Sequence, residues 1–336
     1  MEKSSRTSVG VIGMGLIGSR VAAVLRRGGF PVFVWNRSPR PEPNFLSSAR
    51  EVAELTDIIQ LFVRDGDALL EVIRSMGDAL GESHIVINHA TVSPADTLMA
   101  ARLVKERGAA FLDAPFTGTR DVAAEGQLVY YVGGDEVVLG RASAVLEASA
   151  RAILHMGPVG AATYVKVATN MISAAQIEVL SEALALLYRG GVPLPRLMEA
   201  LEYNAANSGV ISAKLPMMLS GDFEARFSVK NMLKDLQIAL RSVEGKGIEM
   251  PATAATAGAL MAAVEAGWAD DDFASMARHY AYPGTVKELS ETTFTSSRPL
   301  VDSGAAPKKE PDAGHAESKS TGKSFFGIFG RSKPRV

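Results

Sequence analysis

Six residues near the start of the chain restrict its fold more than any others. Gly13-Met14-Gly15-Leu16-Ile17-Gly18 reads G-x-G-x-x-G. It stands between an apolar run, Val9–Ile12, and a helical pattern, Ile17–Arg27, and a second apolar run comes at Val32–Trp35. The hexapeptide alone is a weak signal, but a strand before it and a helix after it make it a dinucleotide fingerprint. Each glycine then has its own task. Gly13 permits the tight turn, Gly15 lets a pyrophosphate approach the backbone, and Gly18 lets the helix pack on the sheet. Free N–H groups at the helix start hold the phosphate. Gly13, Met14, Gly15, Leu16, Ile17 and Gly18 are therefore candidate cofactor-binding residues.

The pattern around the fingerprint repeats. Ile58–Val63, Ile85–Ile87, Ala110–Leu112 and Val129–Val132 read as further strands with helical stretches between them. Strands alternating with helices imply parallel βαβ units. The expectation is an α/β protein with an N-terminal Rossmann domain, residues 1–160, built on a parallel sheet that Val129–Val132 closes. After Gly160 strand signals nearly vanish, and Val165–Arg189 is one helical pattern free of Pro and Gly. Residues 161–292 are expected to form an all-helical substrate and oligomerisation domain, opened by a long interdomain helix. That helix carries more apolar surface than one small lobe can hide, so a homodimer or homotetramer is expected.

Residues 293–336 change character again. They are rich in Ser, Gly, Pro and Lys and hold 8 basic against 4 acidic residues. Such a composition predicts a disordered tail. Its tip sets Phe325, Phe326, Ile328 and Phe329 among Lys323 and Arg331, which suits docking on a partner or an anionic surface.

Composition excludes several classes of function. Over 336 residues, 35 Lys and Arg against 37 Asp and Glu give a net charge of −2, so no nucleic-acid partner is expected. The chain has no cysteine, which rules out disulfides, thiol nucleophiles and iron–sulfur clusters. It also fits a reducing cytoplasm, the expected location. The five histidines are scattered with no i,i+4 pair, so no metal site is expected. The basic lead and apolar run at the start lack an A-x-A-like cleavage site and are not read as a signal peptide. No uncharged apolar segment reaches about 20 residues, so no transmembrane segment is expected. The nearest, Val167 to Tyr188, carries Glu178 and Glu182, read as facing solvent or a subunit.

The end of the second strand selects the cofactor. NAD sites usually place Asp or Glu there to accept from the ribose hydroxyls. Here the residues are Asn36-Arg37-Ser38, with Arg40 beyond. Arg37 cannot accept those bonds but can pair with a 2′-phosphate, helped by Ser38. NADP(H) is therefore expected, with NAD(H) the alternative if Arg37 is only a solvated surface residue.

Three more segments stand out: Asn88-His89-Ala90-Thr91; Asp113-Ala114-Pro115-Phe116-Thr117-Gly118-Thr119; and Gly157-Pro158-Val159-Gly160 with Lys166 and Asn170 after it. Together with the fingerprint, from about residue 8 to 290, they make the chain resemble the β-hydroxyacid dehydrogenase family. The usual second motif of that family is D-A-P-V-S-G-G. Its third is G-x-x-G-x-G-x-x-x-K-x-x-x-N. Asn36-Arg37-Ser38 and the Thr-Gly-Thr-Arg stretch look most like the glyoxylate and succinic semialdehyde reductases.

The resemblance implies an NADP-dependent oxidoreductase that reduces a small semialdehyde or 2-oxoacid carrying a carboxylate. Lys166 would be the general acid in reduction and the base in oxidation, and the other catalytic residue, Asn170, one helical turn on, would hold the lysine or the substrate. Thr117 and Gly118 would hold the substrate carboxylate. Thr91 would line both nicotinamide and substrate. Phe227 and Asp235, from a segment that matches the family's F…K-D pattern, would close the substrate site. Some positions depart from the pattern, among them Thr117, which replaces the usual serine and keeps the hydroxyl. Thr119 stands where the second motif ends in glycine, and Arg120 comes next; their side chains narrow the pocket or add a cation, with a surface Arg120 the alternative. Ala162 replaces a glycine of the third motif. His89 is read as a structural histidine. The competing readings are an imine reductase, a group that generally lacks the lysine of the third motif, and a non-enzymatic cofactor-bound scaffold.

Overall fold

The computed structural model describes residues 7–280. The expected tail at 293–336 and its aromatic tip lie outside the described residues.

Eight strands form one sheet. They are β1 (Val9–Ile12), β2 (Val32–Trp35), β3 (Ile58–Leu61), β4 (Ile85–Asn88), β5 (Ala110–Asp113), β6 (Phe116–Thr117), β7 (Leu128–Gly133) and β8 (Ala150–Gly157). Their order is β2-β1-β3-β4-β5-β7-β6, with β8 paired to β7. The first five strands are parallel, and their last residues align: Ile12 with Trp35 and Leu61, Leu61 with Asn88, and Asn88 with Asp113. Every loop that leaves these ends emerges on one edge. The chain leaves β1 for β2 on one side and returns to β3 on the other, so the order reverses at β1 and opens a crevice above it.

The sheet departs from the expected one in two ways. It is mixed, because β7 runs antiparallel to both β5 and β6. The short β6 starts a reversal that Gly118, at φ +141°, helps to turn. The series also does not close at β7, since β8 comes after it and pairs in parallel with two register shifts.

The first helices show why the sequence folds this way locally. In α1 (Gly18–Arg27), Val21, Ala22 and Leu25 recur at helical spacing and are buried against the sheet. Helix α2 (Ala49–Leu55) is capped by Ser48, whose hydroxyl accepts from Glu51 N, and α3 (Gly66–Met76) by Asp65, which accepts from Ala68 N. Helices α4 (Pro94–Lys105), α5 (Arg120–Ala124) and α6 (Glu136–Glu147) complete this half.

Strand β8 ends at Gly157, and α7 (Ala161–Arg189) begins after the left-handed Gly160. At 29 residues α7 spans roughly 44 Å. Helices α8 (Pro195–Glu202), α9 (Gly209–Ser220), α10 (Val229–Val243) and α11 (Pro251–Glu265) come next, then a 3₁₀ segment, Phe273–Tyr280. Their core is separate from those of the sheet and gathers Leu180, Leu184, Leu236, Leu260 and Phe273.

Among the described residues α7 is the one helix that meets a membrane-spanning test of length and composition. Its inner side nevertheless carries polar groups into the protein: Asn170 and Glu178 are both buried. This corrects half of the expectation for the Glu178–Glu182 pair. Glu182 is exposed, but Glu178 turns inward and accepts a hydrogen bond from the Tyr280 hydroxyl. Burial pushes the Glu178 carboxyl above the usual carboxylate range.

Beneath the loop that leads into α10 lies an enclosed ion pair. Lys214 Nζ is 2.7 Å from both carboxylate oxygens of Asp272. Asp272 also accepts from the backbone N–H groups of Arg226, Phe227 and Ala274. These extra donors satisfy a carboxylate that burial would otherwise penalise.

Candidate active site

The fingerprint loop is shaped by sterics at two glycines and left open at the third. Gly13 adopts φ +99°, and a Cβ there would lie 2.2 Å from Phe62 O. A Cβ on Gly18 would lie 2.0 Å from Gly13 O. Gly15 has nothing within 4 Å of the same position. The backbone N–H groups of Gly15, Leu16 and Ile17 donate to no acceptor among the described residues. An open backbone with unsatisfied donors at a helix start is what a pyrophosphate requires, so these residues fit a dinucleotide. Met14 N donates to Asn36 Oδ1 at 3.0 Å, which ties the turn to the end of β2. Leu16 is 64% exposed at the loop's outer edge, and Ile17 packs inward on the sheet core.

Asn36 Nδ2 donates to Ser38 O at 2.8 Å and so fixes the turn after β2. Arg37 and Ser38 are exposed on that turn, and the Arg37 guanidinium pairs with no described residue. The turn therefore presents a cation and a hydroxyl to solvent.

The ends of β4 and β5 carry the next residues to the same edge. Thr91, three residues past β4, offers its carbonyl to Lys234 Nζ on α10. Asp113, at the end of β5, is fully buried and accepts from Thr163 N at 2.9 Å and from Thr163 Oγ1 at 3.0 Å. Burial pushes its carboxyl up to about 6, and the donors from Thr163 and Gly160 work against that rise. Asp113 thereby fastens the first turn of α7 to the sheet. Lys166 lies one turn further along α7. Ala162, where the family pattern has glycine, is helical and buried, so its Cβ needs no left-handed backbone.

Lys166 and Asn170 share the face of α7 that meets α10. Asn170 Nδ2 donates to Asp235 Oδ2 at 2.6 Å. Lys234 Nζ lies 2.8 Å from Asp235 Oδ1. Asp235 itself is 1% exposed. Burial holds the Lys166 ammonium below the usual lysine range; Asp235 opposes that shift and Lys234 reinforces it. Two lysines, one carboxylate and one amide, from segments 65 residues apart, thus form a single electrostatic unit. In the sequence Lys234 is no more than a neighbour of Asp235. Only the fold brings its ammonium to the Thr91 carbonyl.

Among the described residues, the remaining candidates make no hydrogen bond or ion pair to this unit. Thr117 is exposed on β6, and Gly118 comes after it with a left-handed backbone. The Thr119 hydroxyl caps α5 by accepting from Val122 N. Arg120 adds no free cation, because Glu224 and Asp121 hold it at 3.3 and 3.4 Å. Phe227 packs edge-on against Phe273, with centroids 6.4 Å apart, beside the helical core. His89 is buried and stacked on Phe62 at 4.4 Å, and its Nδ1 lies 2.7 Å from Ala114 O. Burial lowers its pKa to about 4, so it is neutral and structural. Among the described residues no group of three or more His, Asp or Glu could hold a metal ion.

Comparison with known proteins matches both halves. Residues 8–157 match the NAD binding domain of 6-phosphogluconate dehydrogenase. Residues 160–280 match the NAD-binding domain of NADP-dependent 3-hydroxyisobutyrate dehydrogenase. The 2-hydroxy-3-oxopropionate reductase of Escherichia coli is 31% identical over 255 residues, which cover 73% of this chain and 87% of that protein. The chain belongs to the β-hydroxyacid dehydrogenase family. Glyoxylate/succinic semialdehyde reductase 2 of Arabidopsis thaliana, a chloroplastic enzyme, is 27% identical over 80% of this chain and 78% of its own length. The 3-hydroxyisobutyrate dehydrogenase of Mycobacterium tuberculosis, solved with L-serine, superposes with a TM-score of 0.75. It is 27% identical, over 81% of this chain and 98% of its own. This β-hydroxyacid dehydrogenase is therefore an NAD(P)-dependent oxidoreductase.

Proposed function

We propose that this enzyme is an NADP(H)-preferring reductase of a small semialdehyde or 2-oxoacid, with glyoxylate and succinic semialdehyde as the leading substrates. The observation that carries the proposal is Lys166, desolvated on α7 and coupled to Asp235, Asn170 and Lys234. The names of the Arabidopsis and Escherichia coli relatives support the same substrate class.

Bound NADPH supplies the hydride that reduces the carbonyl carbon. Negative charge then builds on the carbonyl oxygen, and a donor must meet it there. Lys166 Nζ gives its proton to that oxygen, forming the hydroxyl, and is left neutral until water reprotonates it. A pKa lowered by burial makes the ammonium a better donor than an ordinary surface lysine. Asp235, held by Asn170, opposes that lowering and so favours the protonated form. Thr117 Oγ1 and Gly118 N–H take the substrate carboxylate, which orients the aldehyde toward Lys166. Arg37 and Ser38 take the 2′-phosphate that distinguishes NADP from NAD.

The test is NADPH oxidation by the purified protein with glyoxylate, succinic semialdehyde, tartronate semialdehyde and methylmalonate semialdehyde. NADH and Lys166→Ala serve as controls. Turnover with NADPH that collapses in Lys166→Ala is expected. Tight NADPH binding without turnover of any of the four would reject the assignment and leave imine reduction or a scaffold role.

A further inference from the structure

Away from α7, two polar contacts among the described residues join the sheet half to the helical half. One is the bond from Lys234 Nζ to the Thr91 carbonyl, which belongs to the proton-handling cluster. The other is the ion pair of Arg120 with Glu224, whose Nη2 and Oε1 lie 3.3 Å apart across 104 residues of chain. That pair has no place in the cluster. Both of its ends are backed by firm structure. Arg120 is the first residue of α5, fixed by the Thr119 cap and by Asp121, 3.4 Å from its Nε. A helix start favours anions, so a cation there gains its stabilisation from outside the helix. Glu224 stands on the loop between α9 and α10. On one side of it Phe223 is buried, its carbonyl accepting from Asp272 N and its ring covered by Arg278 at 4.4 Å. On the other side the N–H groups of Arg226 and Phe227 donate to Asp272. Glu224 N itself donates to Asp222 Oδ1 at 3.1 Å. The loop is stiff at both shoulders, so little chain entropy opposes the pair.

The position of the pair along the chain points to its task. Arg120 comes three residues after Thr117, and Glu224 three residues before Phe227. Three residues span at most about 11 Å. The pair therefore ties the turn that presents Thr117 and Gly118 to the loop that presents Phe227. We propose that Arg120 and Glu224 are positioning residues, a latch that shuts the two halves over a bound substrate carboxylate and parts to let it in and out. The proposal rests on the substrate placement argued above, in which Thr117 and Gly118 hold that carboxylate. The two side chains are 48% and 72% exposed. Exposed pairs are individually weak and are screened by salt. Weakness suits a contact that opens at every turnover. A buried pair such as Lys214–Asp272 could not serve, because parting it would strand two charges away from water.

The experiment compares the unaltered full chain with Arg120→Gln, Glu224→Gln, the two together, and the reversed pair Arg120→Glu/Glu224→Arg. Each single change should raise KM for the aldehyde about two- to fivefold, with kcat and NADPH affinity nearly unchanged. The neutral double variant should be no worse than either single, because the same contact is lost only once. The reversed pair should recover most of the loss. Amide hydrogen exchange across residues 222–228 reads the latch without turnover: it should quicken in both singles and slow again in the reversed pair. If the unaltered protein turns over none of the four aldehydes, the substrate reading fails, and the exchange rates still decide the latch. Singles that leave exchange unchanged, or KM unchanged in an active protein, overturn the latch, as does a reversed pair that recovers neither. A raised KM in Arg120→Gln beside a lowered one in Glu224→Gln would also overturn it, and would make Arg120 the direct partner of a second anionic group on the substrate.

Discussion

The cofactor loop and the proton-handling cluster are built in opposite ways. The loop is local: six consecutive residues, shaped by close backbone contacts at Gly13 and Gly18 and tied to the end of β2 by hydrogen bonds from Gly13 N to Trp35 O and from Met14 N to Asn36 Oδ1. The cluster is assembled from a β4 loop, α7 and α10, and its charged groups lie against one another. A local device tolerates little change of shape. An assembled one tolerates shape but responds to every change of charge. Substitutions in the loop should therefore alter binding or folding, whereas substitutions in the cluster should alter rate and pH dependence.

The largest effect expected is on rate alone. Lys166→Ala should lower turnover about 10²–10⁴-fold, the usual contribution of a general acid. NADPH affinity, measured by fluorescence titration, should change little. A large loss of NADPH affinity in that variant would show that the two regions are not separable.

Next come the glycines, which should split. Gly18→Ala puts a methyl group 2.0 Å from Gly13 O and should cost about 1–3 kcal/mol of stability, seen as a lower Tm. Gly15→Ala meets nothing within 4 Å in the protein and should leave Tm unchanged while weakening NADPH about tenfold or more. Equal effects of the two on Tm would remove the distinction between a steric glycine and a ligand-facing one.

The cofactor turn should respond through charge. Arg37→Asp replaces a 2′-phosphate partner by a ribose-hydroxyl acceptor. A lost charge-assisted bond of about 1.5–3 kcal/mol corresponds to a swing of about 10–100-fold from NADPH toward NADH in kcat/KM. An unchanged ratio would place the 2′-phosphate elsewhere.

The subtlest prediction concerns pH. Reduction needs protonated Lys166, so its rate falls as pH rises through a pKa that burial has already lowered. Asp235 raises that pKa, and Asp235→Asn should move the alkaline limb to lower pH. Lys234 lowers it, and Lys234→Met should move the limb to higher pH. Limbs that stay in place would mean that Lys166 is not the titrating donor.

The same contrast explains how much of the fold and site is legible in the chain alone. Strand–glycine–helix order is written in adjacent residues, so the Rossmann half and the change to helices near Gly160 can be read directly. Strand β8 cannot. Its residues are all intermediate or exposed, so it shows no two-residue alternation, and its pairing with β7 is irregular. Glu178 looks solvent-facing because Tyr280, which holds it, lies 102 residues away. Thr119 and Arg120 look like pocket residues because nothing nearby reveals an α5 cap or the acidic Glu224. Lys234 shows the same limit, since its partner Thr91 lies 143 residues earlier.

Asp113 grips the start of α7 through Thr163, and its partners there are a backbone N–H and one hydroxyl. A coupling so sparing in sequence is easily kept when all else diverges. It marks a natural crossover for exchanging halves between relatives: a chimera joined between Gly157 and Ala161 that retains this Asp–Thr pair should carry the cofactor turn and the Thr117–Gly118 segment of one parent and the Lys166–Asp235 cluster of the other.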